Sequence, residues 1–267
     1  MAHHWPATLA WYRLDRRTLS ALPLFLLAVS VSVLFLPCLA PTGAARAPEP
    51  CERQAAMPPE RFDNVVRSDM FLGMAGDREA LDRAMKLCED ALAKNPKNEE
   101  ALVWHGSGLT FQAGQMFRAG DYANGKAAII RGFREMDDAV ALAPDSVAVL
   151  IPRGAALLGY ATHSTDAARS RPQLEKALAD YEKVLANQKP GWEKLPVHSR
   201  GELLSGLAEG WLRAGDAGKA RGYAQRIVSE LPGSQYAVRA QAFLAQANPP
   251  AQLDWQCIGC HAANASP

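Results

Sequence analysis

An excess of either charge is missing from this chain. Over 267 residues, 29 Lys and Arg stand against 28 Asp and Glu, a formal net charge of +1. That balance excludes a basic nucleic-acid binder, whose cations must answer a phosphate backbone, and a highly charged disordered chain that cannot bury a core. Aromatic residues are scarce at 7%. The β-branched residues Val, Ile and Thr, which fit a pleated surface, are comparatively sparse. Only one stretch is long and apolar enough to span a bilayer, which excludes a polytopic membrane protein. No G-x-S-x-G elbow, phosphate loop or H-E-x-x-H helix occurs, so the chain is not expected to be an enzyme. Acidic pairs such as Asp137-Asp138 are expected on helix surfaces as solvated charge.

What is abundant is alanine, 48 residues in all. Alanine loses least on entering a helix, so the composition points to an all-α protein. The length allows one domain of ordinary core size or two small ones.

The single membrane-grade run is Leu19 to Leu39, uncharged throughout. Arg13, Arg16 and Arg17 precede it with only Asp15 opposed, which by the positive-inside rule makes residues 1–18 a cytoplasmic segment, 19–40 a signal or transmembrane helix, and the remainder exported. Gly43, Ala44 and Ala45 offer small residues to a peptidase, whereas the length of the run suits a retained anchor; both outcomes stay open. Cys38 invites a lipoprotein reading, which Pro37 opposes by standing where a small residue is wanted. The Pro- and Ala-rich residues 41–59 read as an extended spacer. The expected location is the bacterial cell envelope, either on the inner membrane facing the periplasm or free in the periplasm after cleavage.

Downstream lies a repeat. From Gly201 to Ser234, counting Gly201 as position 1, Leu204, Leu207, Ala208 and Trp211 fall at 4, 7, 8 and 11, the Gly215-Asp216 turn at 15 and 16, and Ala220, Ala224, Ile227 and Pro232 at 20, 24, 27 and 32. Earlier copies are stretched. Trp104, Gly108 and Phe111 belong to a first helix, Gly120-Asp121-Tyr122 to a late turn, and Met136, Ala139 and Pro144 to a second helix, a hairpin lengthened on both arms. Another copy holds Gly154 and Leu157, then Ala177, Tyr181, Val184 and Pro190; a first one holds Ala84, Cys88, Ala91 and Pro96 behind a short helix near Val65 to Ala75, with Asp77 as cap. Gln235 to Ala247 supplies a terminal helix.

This 34-residue pattern resembles the tetratricopeptide repeat. The resemblance implies four helical hairpins and a capping helix over residues 60–247, a right-handed solenoid that binds a protein partner in a groove lined by the first helices. Carried onto this chain, the groove positions are Leu102, His105, Leu109, Gln112 and Ala113 in the second copy and Ala148, Ile151, Ala155, Leu158 and Gly159 in the third, an apolar groove with one imidazole.

The tail, residues 248–267, contains Cys257, Cys260 and His261 in the order C-I-G-C-H, the attachment motif of c-type haem. Two thiols at that spacing add across the vinyl groups of one porphyrin while the adjacent histidine reaches the iron. An exposed redox pair, half a zinc site and a chance occurrence are the alternatives. Placement near the C-terminus is similar to that in the four-helix cytochromes of the c-prime type, although the aromatic-Arg pair usual after the histidine is absent. Only Ala262 to Pro267 follow, so a sixth ligand must come from upstream or be water. The expectation is that the tail folds back with Trp255 beside the ring and His105 as sixth ligand, with Met70, Met74, Met85 and Met116 as soft alternatives that helical spacing otherwise explains as core filler. If two cysteines hold haem, Cys51 and Cys88 remain, either as a disulfide or with Cys88 as a buried free thiol.

The sequence thus leads to an exported, membrane-anchored repeat protein with one covalent haem c, acting beside a redox complex. The rival readings are a haem-free assembly factor of the cytochrome c maturation type and a plain envelope scaffold.

Overall fold

A computed structural model of the chain describes residues 61–247. The expected leader, spacer and C-I-G-C-H tail lie outside the described residues. Within them are nine α-helices: α1 Phe62–Met74, α2 Arg78–Lys94, α3 Glu99–Arg118, α4 Tyr122–Leu142, α5 Val147–His163, α6 Ala167–Gln188, α7 Val197–Arg213, α8 Ala217–Glu230 and α9 Gln235–Leu244. A short 3-10 helix, Lys189–Lys194, intervenes between α6 and α7.

Two kinds of turn alternate, and local chemistry dictates both. The tripeptide Ala-Gly-Asp closes three hairpins, at 75–77, 119–121 and 214–216. Its glycine adopts φ of +120° at Gly76, +82° at Gly120 and +89° at Gly215, the left-handed conformation that ends a helix. The aspartate N–H reaches back to the carbonyl of Leu72, Met116 or Trp211, and its carboxylate then caps the next helix by accepting from the N–H of Ala80, Asn124 or Lys219. Three residues therefore stop one helix and start its partner. In the third hairpin Asp166 alone remains, capping α6 through the Arg169 N–H.

Between hairpins the chain uses proline. Asn95-Pro96-Lys97-Asn98, Ala143-Pro144-Asp145-Ser146 and Leu231-Pro232-Gly233-Ser234 each place a proline just past a helix end, where the missing N–H and fixed φ forbid continuation. Asn98 and Ser234 then cap α3 and α9. The third junction departs from this pattern because Pro190 opens the 3-10 helix, which is held by Trp192: its indole Nε1 donates to Glu230 Oε2 of α8 at 2.6 Å.

The helices pair as α1 with α2, α3 with α4, α5 with α6 and α7 with α8, while α9 covers α8. The first helices also touch in succession, α1 to α3, α3 to α5 and α5 to α7. The repeated helical hairpins implied by the resemblance are present, and the second is indeed long, with 20 residues in α3 and 21 in α4.

Close approach depends on absent side chains. At the α3–α4 crossing, a Cβ on Gly106 would stand 2.6 Å from the Gly132 carbonyl oxygen, and one on Gly132 would stand 2.6 Å from that of Gly106. The Tyr181 ring of α6 fills the spaces left by Gly154 of α5 and Gly206 of α7, at 2.7 Å from where each Cβ would lie, and so joins two hairpins. Around these contacts run Leu150, Leu157, Leu203, Leu204, Leu207 and Ile227, all fully buried.

Candidate functional site

The first helices are the place to seek a site, and α3 is the most enclosed of them. It packs against α1, α2, α4 and α5, and every residue from Ala101 to Thr110 is buried. Of the expected groove positions on α3, Leu102, His105, Leu109 and Ala113 are therefore interior and Gln112 is half-buried. On α5, Ala148 and Leu158 are buried, Ile151 and Gly159 half-buried and Ala155 exposed. Among the described residues these α3 positions line no open groove, because they are buried in a helix that packs against α1, α2, α4 and α5.

His105, only 1% exposed, is built into the hairpin itself. Its Nδ1 lies 2.5 Å from Glu135 Oε2 on α4, and the other carboxylate oxygen accepts from Arg131 Nε at 2.7 Å. On the opposite edge of the ring, Nε2 is 3.8 Å from Glu89 Oε1 on α2. Burial alone pushes the Glu135 carboxyl up, but the hydrogen bonds and charges of His105 and Arg131 outweigh it and hold the group below its ordinary value. Iron at Nε2 would need a flat porphyrin to approach a ring with almost no accessible surface. In this packing His105 does not fit a sixth haem ligand; it joins α2, α3 and α4.

Beside it, Cys88 is buried and free. Burial, reinforced by the carboxylates of Glu135 and Glu89, pushes its thiol up to about 12. The free-thiol alternative thus describes Cys88, while Cys51 lies outside the described residues. Met70 and Met85 are buried against the bare Cα of Gly108, and Met74 and Met116 are half-buried. Met70 and Met85 fill core space, as their helical spacing suggests. Among the described residues no group of three or more His, Cys, Asp or Glu is placed to hold a metal ion. Cys257, Cys260, His261 and Trp255 lie outside them.

Two further polar clusters carry no signal in the sequence. Arg153 of α5 sends Nε and Nη2 to the two oxygens of Asp180 on α6, each at 2.7 Å, and Nη1 to Asp137 of α4 at 2.9 Å. Lys176 adds a 2.6 Å bond to Asp137. Asp137 is consequently not the purely solvated charge expected of it, because its position on α4 faces the next hairpin; Asp138, one residue on, is exposed. Burial pushes the Asp180 carboxyl up despite Arg153, and Arg153 itself is held above its ordinary value by the carboxylates that outweigh its own desolvation. At the start of the array, Asp63 is fully buried in α1, accepts from Trp104 Nε1 at 3.2 Å and from the Arg67 guanidinium, and donates its backbone N–H to Glu100 Oε2 at 2.8 Å. Trp104 was readable as a repeat position, but its acceptor, 41 residues upstream, carries no local signal.

No family model matches the chain, and no curated protein matches it. Among solved structures, the chain is similar to a thermophilic tetratricopeptide-repeat protein of Thermus thermophilus, at 20% identity, over 68% of this chain and 98% of that one, with a TM-score of 0.31.

Two arginines bind carbonyls at helix ends. Arg213 of α7 donates to the Ala161 carbonyl near the end of α5 at 3.0 Å, and Arg221 of α8 to the carbonyls of Leu244, the last residue of α9, and of Gln246 just beyond it, at 2.7 and 3.1 Å. Carbonyls at helix ends lack intrahelical donors, so these cations both neutralise the helix termini and fix neighbouring hairpins.

Proposed function

We propose that the chain is an exported protein-interaction scaffold that carries one covalent haem c on its C-terminal segment and serves as an electron-transfer or docking subunit of a redox complex. Support for the scaffold comes from the repeated pairing of helices into hairpins and from the succession of contacts among α1, α3, α5 and α7, the architecture of hairpin repeats that engage protein partners. The near-zero net charge favours such contacts over nucleic acid.

The haem reading rests on one observation, the C-I-G-C-H run, taken together with the reading of residues 19–40 as an export signal or anchor. In this reading the thiols of Cys257 and Cys260 hold the porphyrin and His261 supplies an axial nitrogen. When bound, the group supplies one-electron chemistry. His105 is left to its structural role, and residues 19–40 anchor the protein with its body in the periplasm.

Expression together with haem-attachment machinery, followed by a haem stain on a denaturing gel and a reduced pyridine spectrum, tests this directly. Covalent haem that disappears in Cys257→Ala and in Cys260→Ala is the expected outcome. A wild-type chain that stains for none overturns the haem reading and leaves the haem-free assembly factor or scaffold.

A further inference from the structure

The outer face of α4 differs from those of α2 and α6. On α2 the exposed residues include Asp82, Arg83, Lys86, Glu89 and Asp90, and on α6 they include Arg169, Arg171, Glu175 and Glu182, charges of both signs on a solvated surface. On α4, Ala123, Lys126, Ala127, Ile130 and Arg134 follow one another at helical spacing and are all exposed. Tyr122, at the tip of the hairpin, is 70% exposed and Ile130 58%. Arg118, at the end of α3, is exposed beside the same tip, and Arg131 adds a half-exposed guanidinium.

The neighbouring acids are largely committed elsewhere. Asp121 accepts from both the backbone and the side chain of Asn124, and Glu135 is buried against His105. Asp138 is exposed one turn beyond Arg134. The face from Tyr122 to Arg134 therefore interleaves apolar side chains with the cations of Lys126 and Arg134 and carries no acidic side chain.

We propose that this face of α4 docks on an anionic lipid surface, an inference that rests on the reading of residues 19–40 as a retained anchor. A second copy of the chain is a poor occupant, because antiparallel pairing of two such faces about Ile130 would set Lys126 against Arg134. Anionic headgroups complement the cations, and Tyr122, Ile130 and the alanines enter the boundary between headgroups and acyl chains. The tether permits it. The apolar run ends at Leu39 and the described body begins at Arg61, and the intervening chain of about twenty residues can extend roughly 65 Å. The long α3–α4 hairpin, 20 and 21 residues, is only about 30 Å from base to tip.

The test uses the full-length chain in lipid nanodiscs containing phosphatidylglycerol and in discs of phosphatidylcholine alone, read by hydrogen exchange. Slower exchange of residues 116–131 on the anionic discs is expected, with α6 unchanged. Lys126→Gln and Arg134→Gln should each weaken docking roughly fivefold, Ile130→Ser should reduce it, and Lys86→Gln on α2 should have no effect. Equal exchange of the tip on both discs overturns the proposal. A chain that neither kind of disc retains overturns the anchor reading instead; docking is then read from flotation with phosphatidylglycerol vesicles, where flotation lost in Lys126→Gln/Arg134→Gln supports it and no flotation overturns it.

Discussion

Arg153 and Asp180 face each other through two parallel hydrogen bonds of 2.7 Å, from one helix of the third hairpin to the other, and both side chains are almost wholly buried. A bidentate pair of this kind matches the planar guanidinium to the planar carboxylate, and its value depends on both halves being present. Replacing Asp180 by Ala leaves a buried guanidinium with only Asp137 to answer it. Loss of one partner of a buried pair costs roughly 3–5 kcal/mol, whereas apolar replacement of both is often near neutral. Urea denaturation of Asp180→Ala should therefore show a large drop in midpoint, and Arg153→Met/Asp180→Leu a smaller one. Equal losses in the single and double variants would contradict this account.

The contact between His105 and Glu135 carries a pH signature. Because the folded protein holds the Glu135 carboxyl below its ordinary value of 4.5, the folded state prefers the carboxylate more strongly than the unfolded chain does. That stabilisation is complete above the unfolded value and is lost as the pH falls through the depressed folded one. Thermal unfolding of the wild type and of Glu135→Gln over the acid range should show the wild type losing its advantage as the pH drops, with the variant following a flatter curve. Parallel curves would remove Glu135 from the acid response.

Gly106 and Gly132 allow α3 and α4 to cross in direct backbone contact. A methyl at Gly132 would meet the Gly106 carbonyl at 2.6 Å and cannot be accommodated by turning a side chain. Overpacking of this sort costs about 1–3 kcal/mol. By contrast, Gly191 has open space where its Cβ would be and no left-handed φ. Calorimetry should therefore find Gly132→Ala markedly less stable than the wild type and Gly191→Ala close to it. A Gly132→Ala protein as stable as Gly191→Ala would mean that the crossing has slack.

The hairpin turns were legible in the sequence because their chemistry is local: Gly120-Asp121 and Gly215-Asp216 each need only a left-handed residue followed by a capping carboxylate. Proline after each second helix was legible for the same reason. His105 was not, because its spacing on α3 says that it lies on a face and not how many helices cover that face. Its partner Glu135 comes from the far arm of a hairpin, and Glu89 from the hairpin before. Arg153 and Asp180 are not legible for the same reason, since 27 residues separate them and helical periodicity relates only near neighbours. The second helix of the third hairpin stops just before Pro190, as expected, but the 3-10 helix that follows at Lys189–Lys194 is held by Trp192 reaching Glu230 in α8, a tertiary contact with no local signal.

Cys88 provides a test of how tightly this interior is closed. Its thiol is fully buried, and burial together with Glu135 and Glu89 pushes it up to about 12, so that very little thiolate exists near neutral pH even where reagent can reach it. The thiolate is the nucleophile, and low accessibility compounds its scarcity. Iodoacetamide treatment of the folded chain at neutral pH, followed by peptide mass spectrometry, should leave the Cys88 peptide unmodified, whereas the same treatment in concentrated guanidinium should alkylate it fully. Glu135→Gln removes one of the two carboxylates and loosens the His105 contact, so labelling of Cys88 under native conditions should rise. Rapid modification of Cys88 in the folded wild type would show that the joint between α2, α3 and α4 opens far more often than its packing implies.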